Sequence, residues 1–453
     1  MHTTHPIADR DALLEAACTA GLFTTPNQIQ KAVDRTTPGP ARAAARALVT
    51  SGLLTQFQVD RLLAGRTDGF RIGPYIVLDQ IGRGAMSCVY KAKHQTMNRS
   101  VAIKVFAADL TRTAEERQAF QSAAQAAGKL THTNIVTAFD ANELHDRFYL
   151  VLELVDGPSL DALVRQHGPL PVGEACEFVR QLAHGLSHAH DHGMVHRALE
   201  PSGILVTRAT PSARSAAKIA NFGVPRFEIG APDFAAPEQF RAPATVDART
   251  DLYSLGCVFY FLLTGHAPFT GGTGGEITRR QLLEDAPRID RLRPDVPPGV
   301  TAIVHRLLMK LPGERFASAA ELISHLDAVH VPVAPGSGYI SFDTPVAIPY
   351  PYDSGYLTGH YGQPDGSGAY PLSHSGFGLP VVEPSPWEQI TDEAVCEVTA
   401  VDLRNTPAPR KVLKLNPSVH REPAPLWKNA GFLVGAVLLA FMCAGAVIRL
   451  MAK

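Results

Sequence analysis

The order of apolar and polar positions divides the chain into four parts. In the first 70 residues, Thr25-Pro26-Asn27-Gln28 supplies an N-cap, a proline at the first helical position and a capping-box glutamine. Thr55-Gln56-Phe57-Gln58 repeats that pattern ahead of Val59, Leu62 and Leu63, and between the two the Ala/Arg-rich run 41–48 has strong helix propensity. The prediction over 1–70 is a bundle of three or four short helices, either a plain extension or a docking module. From Tyr75 to about Val155, short β-like runs dominate: 75–78, 87–92, 100–106 and 148–154, interrupted by one helical stretch near 114–129. From about Ser159 to His330 the pattern turns mostly helical. Strands first and helices later predict an α+β chain with two unlike lobes over 75–330.

Residues 331–429 change character. Gly and Pro make up 18 of the 54 residues 333–386, and six of the eleven tyrosines (Tyr339, Tyr350, Tyr352, Tyr356, Tyr361 and Tyr370) lie there. That composition predicts a disordered linker, with a recognition tail as the alternative. Residues 430–448 carry no charge over 19 positions, a helical length of ~28 Å that matches the hydrocarbon core of a bilayer. Trp427 and Lys428 flank one end, Arg449 and Lys453 the other. Arg410, Lys411, Lys414, Arg421 and Lys428 precede the run, so a single membrane span with the bulk of the chain on the cytoplasmic side is expected. No apolar stretch comes after the polar start, so no secretory signal is expected.

Composition adds exclusions. Forty-two basic against 43 acidic residues give a net charge of −1, which argues against nucleic acid held by bulk positive charge. The six cysteines form no C-x-x-C pair, so neither a disulfide scaffold nor a structural zinc site is expected. His184, His188, His190, His192 and His196 crowd one stretch, yet the only acidic neighbour in sequence is Asp191 and no metal site is expected.

The candidate chemistry begins at Ile81-Gly82-Arg83-Gly84-Ala85-Met86-Ser87-Cys88-Val89. There, glycines between two β runs let backbone close over phosphates. Val101-Ala102-Ile103-Lys104 lies at the distance from which a strand lysine reaches those phosphates. With these, His132-Thr133-Asn134-Ile135-Val136, Leu150-Val151-Leu152-Glu153-Leu154, Val195-His196-Arg197-Ala198-Leu199-Glu200-Pro201-Ser202-Gly203, Asn221-Phe222-Gly223, Ala236-Pro237-Glu238, Asp251-Leu252-Tyr253-Ser254-Leu255-Gly256 and Arg315 occur in order. The chain over 75–330 thereby resembles the serine/threonine protein kinases, specifically the bacterial eukaryotic-like ones. The resemblance implies a bilobal fold with a small β-rich N-lobe and a larger helical C-lobe. It implies nucleotide contacts at Ile81, Gly82, Gly84, Ser87, Val89, Ala102, Lys104, Glu153 and Val155. Structural roles fall to His196 and Phe222, to Asp251, and to the pair Glu238 and Arg315.

The positions that would perform the reaction depart from the family. Ala198 stands where the resemblance implies a catalytic-loop aspartate that takes the substrate proton. Glu200 stands for a lysine that helps hold the γ-phosphate, Gly203 for a metal-binding asparagine, and Asn221 for the chief magnesium ligand. Ala123 occupies the place of the glutamate that pairs with the strand lysine, and Ala231 that of a substrate-side threonine. Between Asn221 and Glu238 no Ser, Thr or Tyr is available for phosphorylation. The expectation is a membrane-anchored pseudokinase with no catalytic residues and no metal, acting on a protein partner such as an active kinase. ATP binding stays open and Mg2+ is doubtful. The alternatives are an active kinase of atypical mechanism, with Glu200 as base, and a nucleotide sensor.

Overall fold

The structure, a computed structural model, describes residues 7–84, 86–111, 113–208, 215–224, 231–329, 331 and 350–351. The expected linker (apart from 331 and 350–351) and the expected membrane span 430–448 lie outside them. Among the described residues no helix is long and apolar enough to cross a membrane.

Four helices open the chain: α1 (Arg10–Thr19), α2 (Pro26–Asp34), α3 (Ala41–Thr50) and α4 (Gln56–Leu63). Both expected capping boxes form, each Thr hydroxyl accepting from the third residue's amide while that Gln side chain accepts from the Thr amide. Leu13, Ala17, Leu48, Leu62 and Phe70 fill the core between the helices. The bundle is joined to the first long strand of the neighbouring sheet. Gln58 Nε2 donates to the Val77 carbonyl (2.7 Å), Thr55 Oγ1 to that of Leu78, and Ile76 packs into the helical core.

The β-rich lobe contains β1 (Arg71–Ile72), β2 (Tyr75–Arg83), β3 (Ser87–His94), β4 (Ser100–Phe106), α5 (Ala114–Ala127), β5 (Ala138–Leu144) and β6 (Arg147–Glu153). Its antiparallel path runs β1-β2-β3-β4-β6-β5. Lys104 sits mid-strand on β4, opposite Val89 on β3 and Leu150 on β6, so three strands fix its direction. Ile103 and Val151 are fully buried beneath the sheet.

The helical lobe comes next, with α6 (Leu160–His167), α7 (Val172–Asp191), the short hairpin β7 (Ile204–Val206) and β8 (Ala217–Ile219), α8 (Pro237–Arg241), α9 (Ala248–Thr264), α10 (Gly274–Leu283), α11 (Ile289–Leu292), α12 (Pro298–Leu307) and α13 (Ala319–Ala328). Helix α9 is buried from Thr250 to Leu263, with α7, α11 and α12 packed against it and α13 packed on α7 and α12. A last two-residue strand, β9 (Tyr350–Pro351), pairs in parallel with β2 at Gly82 and Arg83. The two unlike lobes match the expected architecture.

Candidate active site

The cleft is built where the sheet meets the β7–β8 hairpin. β2 turns into β3 at the glycines: Gly82 lies opposite Val89, and the Gly84 amide donates to the Ser87 carbonyl (2.8 Å). Ala102 and Val155 are buried, and Val155 packs with Val136, Leu205 and Ala220. Leu205 and Ala220 were not singled out from sequence; β7 and β8 are three residues each, too short to show a period. The Glu153 carboxylate is committed to Lys218 Nζ (3.0 Å) and to the Thr137 amide (3.3 Å). What Glu153 offers the cleft is therefore backbone.

Lys104 is buried, and its Nζ donates to Asn221 Oδ1 at 2.9 Å. Asn221 adopts φ +70, a left-handed conformation that Asn tolerates better than most residues. The backbone turn is thus kept while the carboxylate is not. Ala123, on α5, cannot reach Lys104 with a charge, and its carbonyl instead lies against Gly223. A Cβ added at Gly223 would come within 2.5 Å of Ala127 Cβ and 3.1 Å of the Ala123 oxygen. At φ +78 and with that contact, only glycine lets the segment close on α5.

Gly203 and Asn221 fit one another. A Cβ on Gly203 would lie 3.3 Å from Asn221 Nδ2 and 3.9 Å from Glu200 Cγ. The cleft floor thus runs Lys104, Asn221, Gly203, Glu200: a cation, two neutral groups, then a carboxylate. Glu200 is 8% exposed and accepts from Ser202 Oγ (2.6 Å). A small depression is lined by Arg197, Ala198, Leu199 and Glu200 on one side and by Ala231, Phe234 and Ala235 on the other. Behind it, Asp233 is 3% exposed and its Oδ2 has no hydrogen-bond partner. Burial first, then the charge of Glu200, push its carboxyl up to about 6 against the pull of its own backbone amide. No motif or spacing along the chain pointed to Asp233.

The catalytic-loop backbone is held from below. Asp251 is fully buried and accepts from the amides of His196 (2.7 Å) and Arg197 (2.6 Å) and from His190 Nε2 (2.8 Å). Arg197 has φ +68, a strained conformation for a non-glycine residue that persists because these bonds over-determine it. His196 Nε2 meets the Ala220 carbonyl (2.9 Å) and its ring packs edge-on against Phe222 at 4.7 Å. Gln239 Nε2 donates to the Arg197 carbonyl (2.7 Å), a support not anticipated from sequence. Glu238 takes a two-pronged bond from Arg315 (2.7 and 2.8 Å) and a third from Thr250 Oγ1 (2.8 Å). Burial pushes the Glu238 carboxyl up, but the Arg315 bonds and charge outweigh it and hold the group below its ordinary value.

The five crowded histidines separate by role. His190 and His196 serve the catalytic loop. His188 stacks on His132 (5.2 Å) and meets His192 at a tilt (4.4 Å). Burial, then the nearby His188, His184 and Lys218, lower the pKa of His132. Among the described residues no three His, Cys, Asp or Glu side chains are grouped to hold a metal.

Comparison with known proteins places these features. The family model for the protein kinase domain matches residues 75–326. The serine/threonine-protein kinase PknD of Mycobacterium tuberculosis is 35% identical over 266 residues, covering 56% of this chain and 39% of the relative. PknB of Mycolicibacterium smegmatis is 34% identical over 280 residues, covering 58% and 44%. The chain thus spans about two fifths of the length of these curated relatives. A crystal structure of the Mycobacterium tuberculosis PknI kinase domain, a double mutant, aligns with a TM-score of 0.50 at 26% identity, covering 58% of this chain and 97% of that one.

Proposed function

The chain belongs to the protein kinase domain family, and on that premise we propose that it is a catalytically impaired member, a pseudokinase that binds rather than transfers. One observation carries the reading: Lys104 donates to the neutral amide of Asn221, which stands where the family places a carboxylate, on a floor whose other catalytic positions include Ala198 and Gly203. Phosphoryl transfer depends on positioning and electrostatic stabilisation, with a carboxylate to take the hydroxyl proton and others to hold metal. Loss of the general base alone lowers rate by ~10²–10⁴.

The kinase domain points to ATP and a divalent metal as ligands. The donors here do not suit the metal. A hard cation such as Mg2+ prefers carboxylate oxygens, whereas the Asn221 oxygen is an amide already bonded to Lys104. Glu200, a carboxylate on the floor, accepts from Ser202. We therefore assign the domain a scaffolding or regulatory role toward a protein partner, such as an active kinase. The uncharged run 430–448 would anchor it as a single span, with the kinase domain on the cytoplasmic side.

A second reading has its own support: Glu200 lines the depression beside Ala198 and could act as base in an atypical active kinase. Phosphotransfer to the chain itself and to a general protein substrate, followed by intact mass with Mg2+ or Mn2+, separates the two. The proposed function expects no phosphate incorporation above that of Lys104→Ala. Incorporation that Lys104→Ala abolishes would establish the kinase instead. Extraction of the full chain from membranes at alkaline pH tests the anchor, which predicts that it stays with the lipid.

A further inference from the structure

We propose that this cleft selects nucleoside diphosphates over triphosphates and holds them without a divalent cation. The inference rests on the reading of the cleft as a binding site and names its ligand.

The floor is a continuous row with opposite charges at its ends. Lys104 Nζ is 2.9 Å from Asn221 Oδ1, and the Asn221 amide faces the space above Gly203. Glu200 borders that same space. A polyphosphate anchored on Lys104 beneath the Gly82–Gly84 turn extends along this row toward the carboxylate. The first phosphates meet the cation and neutral groups. Each further phosphate comes nearer to Glu200, which is 8% exposed and so poorly screened by solvent. Asp233 lies near enough for the Glu200 charge to raise its carboxyl, after burial, which acts first. A terminal phosphate there meets the Glu200 carboxylate.

The metal would ordinarily relieve that repulsion by neutralising phosphate charge. The amide and glycine at 221 and 203 do not recruit it. The ligand therefore carries its full charge into the cleft, and the shorter phosphate chain is favoured. The adenine side of the cleft, Val155 with Leu205 and Ala220, is apolar and indifferent to phosphate number.

Calorimetric titration of the full chain with ADP and with ATP, first in EDTA and then in Mg2+, tests this. The expected result is ADP tighter than ATP by about ten-fold or more in EDTA, with ADP affinity changed little by Mg2+. Glu200→Lys should bring ATP to parity or better while leaving ADP binding in place. Glu200→Gln keeps the shape and the Ser202 contact and should narrow the gap, which covers the case in which Glu200→Lys does not fold. ATP binding as tightly as ADP, a ratio unchanged in both variants, or no nucleotide bound at millimolar concentration would overturn the proposal. Mass analysis of the same samples keeps the two readings apart. ATP preference without transfer defeats the selectivity alone, and phosphate transfer defeats the binding-only reading.

Discussion

Two regions of the helical lobe and cleft handle buried charge in opposite ways. Below the catalytic loop, Asp251 accepts three hydrogen bonds, and Arg315 satisfies Glu238 while also donating to the carbonyls of Met309, Lys310 and Arg249. All but the His190–Asp251 and Arg315–Glu238 contacts bind backbone groups directly. On the cleft floor, a few residues away, the polar and charged groups that would face phosphate and metal are replaced by Ala198, Gly203 and Asn221, and one charge is reversed at Glu200. The strained backbone at Arg197 and Asn221 is nevertheless in place in both regions. The charges that shape the loop and the charges that act from it are therefore separable, and this chain retains the first set.

The comparison can be broken most forcefully at Arg315. Arg315→Ala leaves Glu238 buried and unpaired and should lower stability by about 3–5 kcal/mol, measured by denaturant unfolding. Because Arg315 holds the Glu238 pKa below its unfolded value, the stability it contributes is present at neutral pH. It fades as pH falls through the folded pKa, and the variant should lack that acid-side loss. A smaller effect of opposite sign is expected at Asp233. Its folded pKa, about 6, is raised from 3.8, so the fold binds the proton more tightly than the unfolded chain does. Stability then falls as pH rises from about 4 to about 6 and stays lower above. Asp233→Asn should stabilise the protein by ~1–3 kcal/mol at pH 7.5 and by almost nothing near pH 4. The smallest effect belongs to the floor. Lys104→Met should change stability by less than ~1 kcal/mol while removing nucleotide binding, so that a charge dispensable to the fold proves necessary to the ligand. A destabilisation as large as that at Arg315 would erase the distinction between the regions.

Much of this was legible in the sequence where local rules suffice. The capping boxes at Thr25 and Thr55 formed, and the β-like run 100–106 became β4 with those same ends. Strand β5 was missed because its residues Phe139 to Glu143 are exposed and mostly polar, leaving no apolar alternation to detect. β1, β7 and β8 are too short for any period. The histidine crowd was read by helical spacing, yet His190 finds its partner 61 residues away and His188 stacks on His132, from a different segment. The fit of Asn221 to Gly203, and the burial of Asp233 behind Glu200, depend on tertiary approach and have no signature along the chain. The family motifs, by contrast, located Asp251, Glu238 and Arg315, because their spacing is set by the fold they support.

The central claim is that the floor can hold a nucleotide but has lost the charges that move phosphate. A single-turnover measurement tests it directly: stoichiometric full chain with ATP labelled at the γ-phosphate, in Mg2+ and in Mn2+, following release or transfer of the label beside Lys104→Met. The account predicts that both proteins stay at the uncatalysed background. Label lost from ATP by the wild-type chain alone would contradict it.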